Sequence, residues 1–390
     1  MESDSGCTFG AMMNKQASLF VWCFLLLGSA YSLAADNTVE IACARFASTG
    51  VLAEVSIRNG DLHLQVVDVG KHQDARVQQV SPGASNCELF FSADDQWLAI
   101  GTERAVRNSW SVRVHVWDVR KGEWHSQFDV DPKPGLTGYV SLVGFFQRET
   151  KLIITGRQDD TRDAPLTSVL VSMEGKALDG PGYPRESPAQ VDAERNREWS
   201  SKGTDGCVMS SASLIGNSVR GSQVNRPAIQ GNCVGSAPVG FPGQNTIIGV
   251  AADGDGKTWA WSVSVDTNKS TKTSLAAPSK DLADKWVQAT VQPFLSISPD
   301  GKVFAVQRTS THWSHFDNPR ATVNELIVAG VEPLRFLQVV KPKSCSSVSA
   351  FAVNHRVGNV EVVGRRCGEW KTDTVAIPQN SGNRTDRSVQ

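Results

Sequence analysis

Short apolar runs that end at turn residues recur along this chain, and they are clearest between Leu89 and Phe128. Apolar runs at 89–91 and 97–100 lie on either side of a polar turn at 92–96, apolar positions alternate with polar ones over 112–116, and a further short segment with two aromatic residues follows at 123–128. A period of two bounded by Asp, Ser, Lys and Gly is typical of short antiparallel strands. The region therefore predicts one four-stranded sheet.

Parts of this pattern recur at a regular spacing. The polar turn and strand of 92–100 are echoed at 298–306 and, more loosely, at 146–156, while the strand end at 116–121 is matched at 66–71 and 264–269. Equivalent positions lie about 50 residues apart, or at about three or four times that distance. This is the period of a propeller blade built of four short strands, and it is not the period of a helical solenoid.

The pair Trp117-Asp118 stands where the WD-repeat family of β-propellers places its Trp-Asp, and Ser-x-Asp precedes the second strand of the unit. The sequence resembles that family most closely at 89–128 and less closely at 294–340. It departs from the family in that no Gly-His dipeptide precedes a blade. The resemblance implies a propeller, a fold whose members usually serve as interaction platforms.

The segment 36–378 divides into about seven units of the repeat length. The predicted fold class is therefore all-β, a single β-propeller of about seven four-stranded antiparallel blades, followed by a polar tail at 379–390. Strand patterning nearly vanishes within 181–243, which is rich in Gly, Ser, Asn and Pro. That segment is either a degenerate blade, which its length favours, or an insertion into a propeller of six blades.

Charge and composition exclude one class of function. The formal net charge is −1, and Lys and Arg are spread through the chain rather than interleaved with aromatic residues. A nucleic-acid-binding protein would show a basic face, so no nucleic-acid partner is expected.

Residues 1–34 have the features of a secretory signal peptide. A start at Met13 gives one basic residue, the apolar run 19–27 and small residues up to Ala34, where cleavage is expected; residues 1–12 are then a mis-assigned start. The run is shorter than the about 20 residues of a membrane span, so no stable span is expected after cleavage. An uncleaved anchor is the alternative. The sequence predicts a periplasmic or secreted protein.

The chain has eight cysteines, and two of them lie within the predicted signal peptide. The even number left in an exported chain predicts disulfides, with buried thiols as the alternative. Three pairs are predicted. Cys345 and Cys367 flank a predicted hairpin turn symmetrically, and Cys207 and Cys233 bracket the weakly patterned segment. Cys43 and Cys87 begin the first strands of successive blades.

The connections between the second and third strands lie on one face of a propeller, and here they are predicted as long polar loops at 102–111, 157–165 and 308–320. Function in all-β scaffolds usually lies on such loops, although surface loops are polar in any case. The binding candidates on this face are Arg104, Arg107, Trp110, Arg157, Asp160, Arg162, His312, Trp313, His315 and Asp317.

The segment 312–317 contains two imidazoles and a carboxylate, which are residue types that bind zinc. Loop spacing alone does not make them converge, so a partner-facing aromatic loop is favoured and no metal site is predicted. The Asp-Gly-Asp-Gly of 253–256 lacks the later ligands of a calcium loop and is read as a hairpin turn. No Gly-x-Ser-x-Gly elbow supports a serine hydrolase, and no cofactor is expected.

Two functions of different classes fit these features. The first is an exported, non-catalytic propeller that binds a protein or glycan partner through its loop-rich face. The second is an exported propeller enzyme, lactonase- or hydrolase-like, with its site at the mouth of the central channel. An enzyme should carry acids or histidines on its innermost strands, and the predicted ones at 140–146 and 294–297 are mostly apolar. This favours the binding function.

Overall fold

Every regular element in the described part of the chain is a β-strand. The computed structural model describes residues 41–58, 61–68, 71–73, 77–79, 84–106, 109–130, 140–157, 166–178, 190–193, 196–202, 208–216, 223–227, 237–240, 245–252, 257–276, 287–315, 318–341, 348–366 and 369–377. All of them belong to one compact unit, Val39–Gln390. Within these residues no helix is present that could cross a membrane.

The sheets follow one another in chain order, and all strand pairs within them are antiparallel. The first sheet contains β1 (Ile41–Phe46), β2 (Leu52–Arg58), β3 (Asp61–Asp68), β4 (Lys71–Gln73) and β5 (Val77–Gln79), with β4 and β5 both paired to β3. The second contains β6 (Ala84–Phe91), β7 (Trp97–Val106), β8 (Ser109–Asp118) and β9 (Glu123–Asp129). The third contains β10 (Val140–Phe145), β11 (Lys151–Arg157) and β12 (Leu166–Ser172).

The same order continues to the end of the described chain. The fourth sheet contains β13 (Gln190–Asp192), β14 (Arg197–Lys202), β15 (Val208–Ser213) and β16 (Gln223–Asn225). The fifth contains β17 (Ala237–Gly240), β18 (Thr246–Ala252), β19 (Thr258–Ser264) and β20 (Ser270–Ala276). The sixth contains β21 (Val287–Ile297), β22 (Val303–His315), β23 (Asn318–Val331) and β24 (Leu334–Val340). The seventh contains β25 (Val348–Arg356), β26 (Asn359–Arg366) and β27 (Glu369–Ala376).

The described strands thus form seven small antiparallel sheets. The weakly patterned segment 181–243 contains all four strands of the fourth sheet, which is the arrangement of a degenerate repeat unit rather than of an unpaired insertion. The polar tail predicted at 379–390 and the predicted signal peptide at 1–34 lie outside the described residues.

Successive sheets pack through apolar side chains. Val114 and Leu142 belong to one cluster shared by the second and third sheets. Trp199 and Trp261, both almost fully buried, belong to a cluster shared by the fourth and fifth sheets. The first strands of the sheets also contact one another, as in the pairs β1 with β6, β17 with β21, and β21 with β25.

The first sheet also packs against the seventh, and we call this contact the seam. Phe46 and Leu52 form a buried cluster there with Ala352 and Val363, and β1 contacts β25. Glu54 is buried in the first sheet, and burial raises its pKa to about 7, while the charge of Arg365 in the seventh sheet acts to lower it. The seam therefore joins residues from the two ends of the described chain.

The Ser-x-Asp repeats adopt the same hydrogen-bonded turn. The Ser92 hydroxyl donates to Asp94 Oδ1 (2.6 Å), and the Trp97 amide donates to Ser92 Oγ (3.0 Å). In the sixth sheet, the Ser298 hydroxyl donates to Asp300 Oδ1 (2.7 Å), and the amide of Val303 donates to Ser298 Oγ (3.1 Å). The repeat is therefore a structural turn that joins the first and second strands of a sheet.

These turns also connect neighbouring sheets. The Ser48 hydroxyl and the Thr49 amide of the first sheet donate to the Asp95 carboxylate of the second. Asp300 of the sixth sheet lies 2.6 Å from the Nδ1 atom of His355 in the seventh. We call the end of the sheets that carries these turns the turn end, and the opposite end, which carries the connections between second and third strands, the loop end.

The Trp117-Asp118 pair has a structural role. Asp118 Oδ1 accepts hydrogen bonds from the amides of Arg120 (3.1 Å) and Lys121 (3.0 Å), and this closes the turn between β8 and β9. Trp117 is buried against the first sheet. Neither residue is therefore available as a binding group.

A disulfide joins Cys43 of β1 to Cys87 of β6, and so links the first strands of the first two sheets. The other cysteines predicted to pair, at positions 207, 233, 345 and 367, lie outside the described residues.

Candidate functional site

The predicted binding residues do not lie where long loops were expected. The loop predictions at 102–111 and 308–320 were wrong, because β7 continues to Val106, β8 begins at Ser109, β22 continues to His315 and β23 begins at Asn318. Arg104 lies on β7, Trp110 on β8, Arg157 at the end of β11, and His312, Trp313 and His315 on β22. Arg107, Asp160, Arg162 and Asp317 lie outside the described residues.

The physical reason for these longer strands is visible in the residue types. The segment after Arg308 reads Thr-Ser-Thr, and β-branched Thr favours the extended pleated conformation. Its lack of apolar alternation hides the strand from a periodicity search. Polar strands of this kind are indistinguishable from loops when hydrophobic spacing is the only signal.

The longest of these extensions belongs to the sixth sheet. β22 has 13 residues and β23 has 14, whereas β18 and β19 in the preceding sheet have 7 each. At about 3.4 Å per residue, the hairpin is roughly 20 Å longer than its neighbour. Pairing continues to His315 opposite Asn318, and β21 accompanies it as far as Val287 opposite His312. The extension therefore lies at the loop end and is a paired ribbon rather than an irregular loop.

Charged side chains also occur on the first strands, where sequence patterning predicted mainly apolar ones. Arg45 of β1 keeps an exposed side chain, and its Nη1 donates to the backbone oxygen of Leu89 at 3.0 Å. Its guanidinium lies over the Phe90 ring, 5.0 Å from the centroid. Desolvation by the surrounding protein lowers the pKa of Arg45.

Glu88 of β6 is the second charged residue on a first strand. The Ser141 hydroxyl of β10 donates to Glu88 Oε2 at 3.0 Å. Burial, and then the neighbouring Glu103 carboxylate, raises the pKa of Glu88 to about 8, although the Ser141 bond acts in the opposite direction. Glu88 is therefore mostly protonated at neutral pH, and its carboxyl group can donate a proton or a hydrogen bond.

A buried ion pair connects the fifth and sixth sheets. Arg308 donates through Nε and Nη2 to Glu325 Oε2, at 3.1 and 2.5 Å, and both side chains are only 1% exposed. Arg308 Nη1 also reaches Thr258 Oγ1 at 3.0 Å, across the sheet boundary. Lys341 lies 3.3 Å from Glu325 Oε1. Because the Arg308 donors bond protein acceptors in two sheets, we interpret this cluster as a structural contact between those sheets.

His115 of β8 is fully buried beside Trp124, with 5.9 Å between ring centroids. Burial, and then the charge of Arg113, lowers its pKa to about 4, so the ring is neutral. Neither of its ring nitrogens has a hydrogen-bond partner among the described residues, and the same holds for the indole nitrogens of Trp117 and Trp124. These nitrogens lie in the core of the second sheet and reach no surface.

Sequence reasoning missed Arg45, Glu88 and His115, although one signal was available for all three. Each is an ionisable residue placed between apolar neighbours in a strand pattern, as in Ala-Arg-Phe, Cys-Glu-Leu and Val-His-Val. Such a residue must be paired, neutral or accessible to a ligand. His115 is neutral, Glu88 is mostly neutral and hydrogen-bonded to Ser141, and Arg45 is exposed.

No protein-family model matches the chain, and no curated protein sequence matches it. Among solved structures, the chain is similar to Hsv2 of Kluyvelomyces marxianus, with 11% identity and a TM-score of 0.49 over 87% of this chain and 97% of that one. It is also similar to the WD40 domain of SCAP from fission yeast, with 10% identity and a TM-score of 0.43 over 87% and 82% of the two chains. A third similar structure is the periplasmic gluconolactonase PpgL of Pseudomonas aeruginosa, with 13% identity and a TM-score of 0.42 over 86% and 95%. At these low scores the likenesses carry no argument about what this chain binds or catalyses.

Proposed function

We propose that this chain is an exported, closed β-propeller of seven blades that binds a protein or glycan partner through its loop end and catalyses no reaction. The seven small antiparallel sheets, whose strands pair almost entirely in chain order, support the propeller architecture. The packing of the first sheet against the seventh supports closure. In such a propeller the first strands line a central channel.

The observation that carries the binding function is the extended hairpin of β22 and β23 at the loop end. A ribbon that continues beyond the length of its neighbours adds no contact that a four-stranded blade requires. It does carry His312, Trp313 and His315 on a paired backbone. Aromatic residues on an ordered element bind with little loss of side-chain entropy, which suits a partner-binding surface.

Substitution of the aromatic candidates tests this function. In this proposal Trp110, Trp313 and His315 act in binding and not in packing, so we expect that replacing them with Ala will change stability by less than about 0.5 kcal/mol and leave the thermal midpoint nearly unchanged. A photo-crosslinking residue at position 313 should capture a partner in the producing cells. The same residue at the exposed Phe336 of β24, in the same sheet, is the matched control.

The outcomes separate the two partner classes. A protein partner gives a defined crosslink from position 313 and none from position 336. A glycan partner gives no crosslink but binds on a glycan array, and the triple variant loses that binding. A large loss of stability in the triple variant, or equal crosslinking from both positions, would show that the hairpin is not the binding surface.

Export has separate support. Cys43 and Cys87 form a disulfide, and stable disulfides are found mainly in extracellular and periplasmic proteins. We expect the mature protein to begin after Ala34, with the propeller over 36–378. Mass spectrometry of exported material checks the cleavage site, and exported protein that still begins at Met1 or Met13 would indicate an anchor instead.

A propeller enzyme with its site at the channel mouth is the second candidate, and Glu88 is the observation that favours it. This residue lies on a first strand, stays protonated near neutral pH and contacts the Ser141 hydroxyl. A carboxylic acid of this kind suits proton donation to a leaving group. The test is turnover of a lactone and ester panel by the wild type and by Glu88→Gln. Turnover that the substitution abolishes would favour the enzyme, and no turnover by the wild type would exclude it for those substrates.

A further inference from the structure

Arg45 lies on β1 next to the turn end, opposite the hairpin proposed to bind a partner. The strand ends one residue later at Phe46, and the turn that follows carries Ser48 and Thr49. The nearby Asp95 carboxylate already accepts hydrogen bonds from both of these residues. In the proposed closed propeller this position is the mouth of the channel at the turn end.

Among the described residues, no carboxylate compensates the charge of Arg45. No ion pair joins it to an acidic group among the described residues, and its polar contact is the backbone oxygen of Leu89. By contrast, the Arg113 guanidinium is held in a bidentate pair by Asp129, with both bonds at 2.7 Å. Desolvation by the surrounding protein lowers the pKa of Arg45. Unlike Arg113, Arg45 offers an exposed guanidinium with no acidic partner among the described residues, so a partner from outside the chain can supply the missing anion.

The guanidinium is held in place but retains most of its hydrogen-bonding capacity. It has five N–H donors, and one of them is used by Leu89. The Phe90 ring lies below the group, with its centroid 5.0 Å from the guanidinium carbon, and this cation–π contact favours the observed position. The remaining donors include the two parallel N–H groups that match a carboxylate or a phosphate. The exposed side chain leaves room for a ligand to approach.

We propose that Arg45 is the centre of an oxyanion-binding site at the turn end, where its guanidinium takes the carboxylate or phosphate group of a ligand in a bidentate pair. The Leu89 oxygen and the Phe90 ring are positioning groups for the guanidinium. The location at a channel mouth rests on the proposed closed propeller, but anion binding does not depend on the hairpin or on its partner.

Calorimetric titration of the mature protein at low ionic strength tests the site. The probes are inorganic phosphate and glucuronate, which distinguish a phosphate source from a carboxylated sugar. We expect one probe to bind at one site per chain and to raise the thermal midpoint. Arg45→Gln should weaken binding by about tenfold or more, because charge-assisted hydrogen bonds are lost. Arg45→Lys should bind the probe more weakly than the wild type and more tightly than Arg45→Gln, since lysine keeps the charge and loses the planar guanidinium.

Two further measurements make the result decisive. Arg113→Gln is the matched control, because its guanidinium is already occupied by Asp129, and it should bind the probe as the wild type does. Without the probe, Arg45→Gln should melt at or above the wild-type temperature, because it removes an unpaired desolvated charge.

Three results would overturn the proposal. These are equal binding by Arg45→Gln and the wild type, no binding of either probe to the wild type at about 10 mM, or a marked fall in melting temperature for Arg45→Gln, which would make Arg45 a structural residue. None of these results bears on the hairpin crosslinks, so the two proposals fail independently.

Discussion

Removing Arg308 should be among the most destabilising single changes in this chain. Arg308→Met removes two hydrogen bonds to Glu325 and the bond to Thr258 in the neighbouring sheet. Glu325 would then remain buried with only the half-exposed Lys341 beside it. Removing one partner of a buried ion pair costs about 3–5 kcal/mol, and the remaining lysine places the expected loss near about 3 kcal/mol.

Urea unfolding followed by circular dichroism measures this loss, with a double-mutant cycle to isolate the pair. The Arg308→Met/Glu325→Leu variant leaves no unpaired buried charge, so it should recover much of the stability lost by the single change. Lys341→Met is the control, and it should cost less than about 1 kcal/mol because its side chain is half-exposed and its ion pair is screened by solvent. A loss below about 1 kcal/mol for Arg308→Met would refute the reasoning, since it would mean that Glu325 is not desolvated in solution.

Three further changes have expected outcomes. Gly249→Ala places a Cβ 2.2 Å from the buried ring of Trp261, and overpacking of this kind should cost about 1–3 kcal/mol in urea unfolding. Because Glu88 has a raised pKa of about 8, its favourable contribution is present at low pH and is lost as the pH rises. Between about pH 6.5 and 8, the wild type should therefore lose up to about 2 kcal/mol relative to Glu88→Gln, and parallel pH profiles would contradict this. Replacing Cys43 and Cys87 with Ser opens a loop with a sequence separation of 44, which should cost about 4 kcal/mol on the chain-entropy model; an unchanged urea midpoint would mean that the bridge is absent.

The sheets whose turns use Ser-x-Asp could be predicted from the sequence because that turn fixes several hydrogen bonds locally. Ser92 and Asp94 bond each other and the following amides, and Ser298 with Asp300 repeats the geometry. The identity of such a turn depends on residues a few positions apart, so it survives in the sequence as a motif.

The extended hairpin and the charged first strands could not be predicted in the same way. Continuation of β22 through Thr309 to Thr311 depends on cross-strand pairing with residues beyond 320. The spacing of hydrophobic residues along β22 does not predict that pairing. That Arg45 has no acidic partner among the described residues depends on what the neighbouring second sheet places beside it, which is the Leu89 oxygen and the Phe90 ring. An ionisable residue between apolar ones marks such a position, but only tertiary packing decides whether it is paired.

The seam between the first and seventh sheets sets an order of events during synthesis. Phe46 and Ala352 are about 300 residues apart, so their contact forms only when nearly the whole chain is present. Until then, the apolar face of the first sheet that packs at the seam has no partner within the chain. A protein of this design must therefore keep its earliest sheet from aggregating until its last sheet is made, and the Cys43–Cys87 bridge links that earliest sheet to the second one.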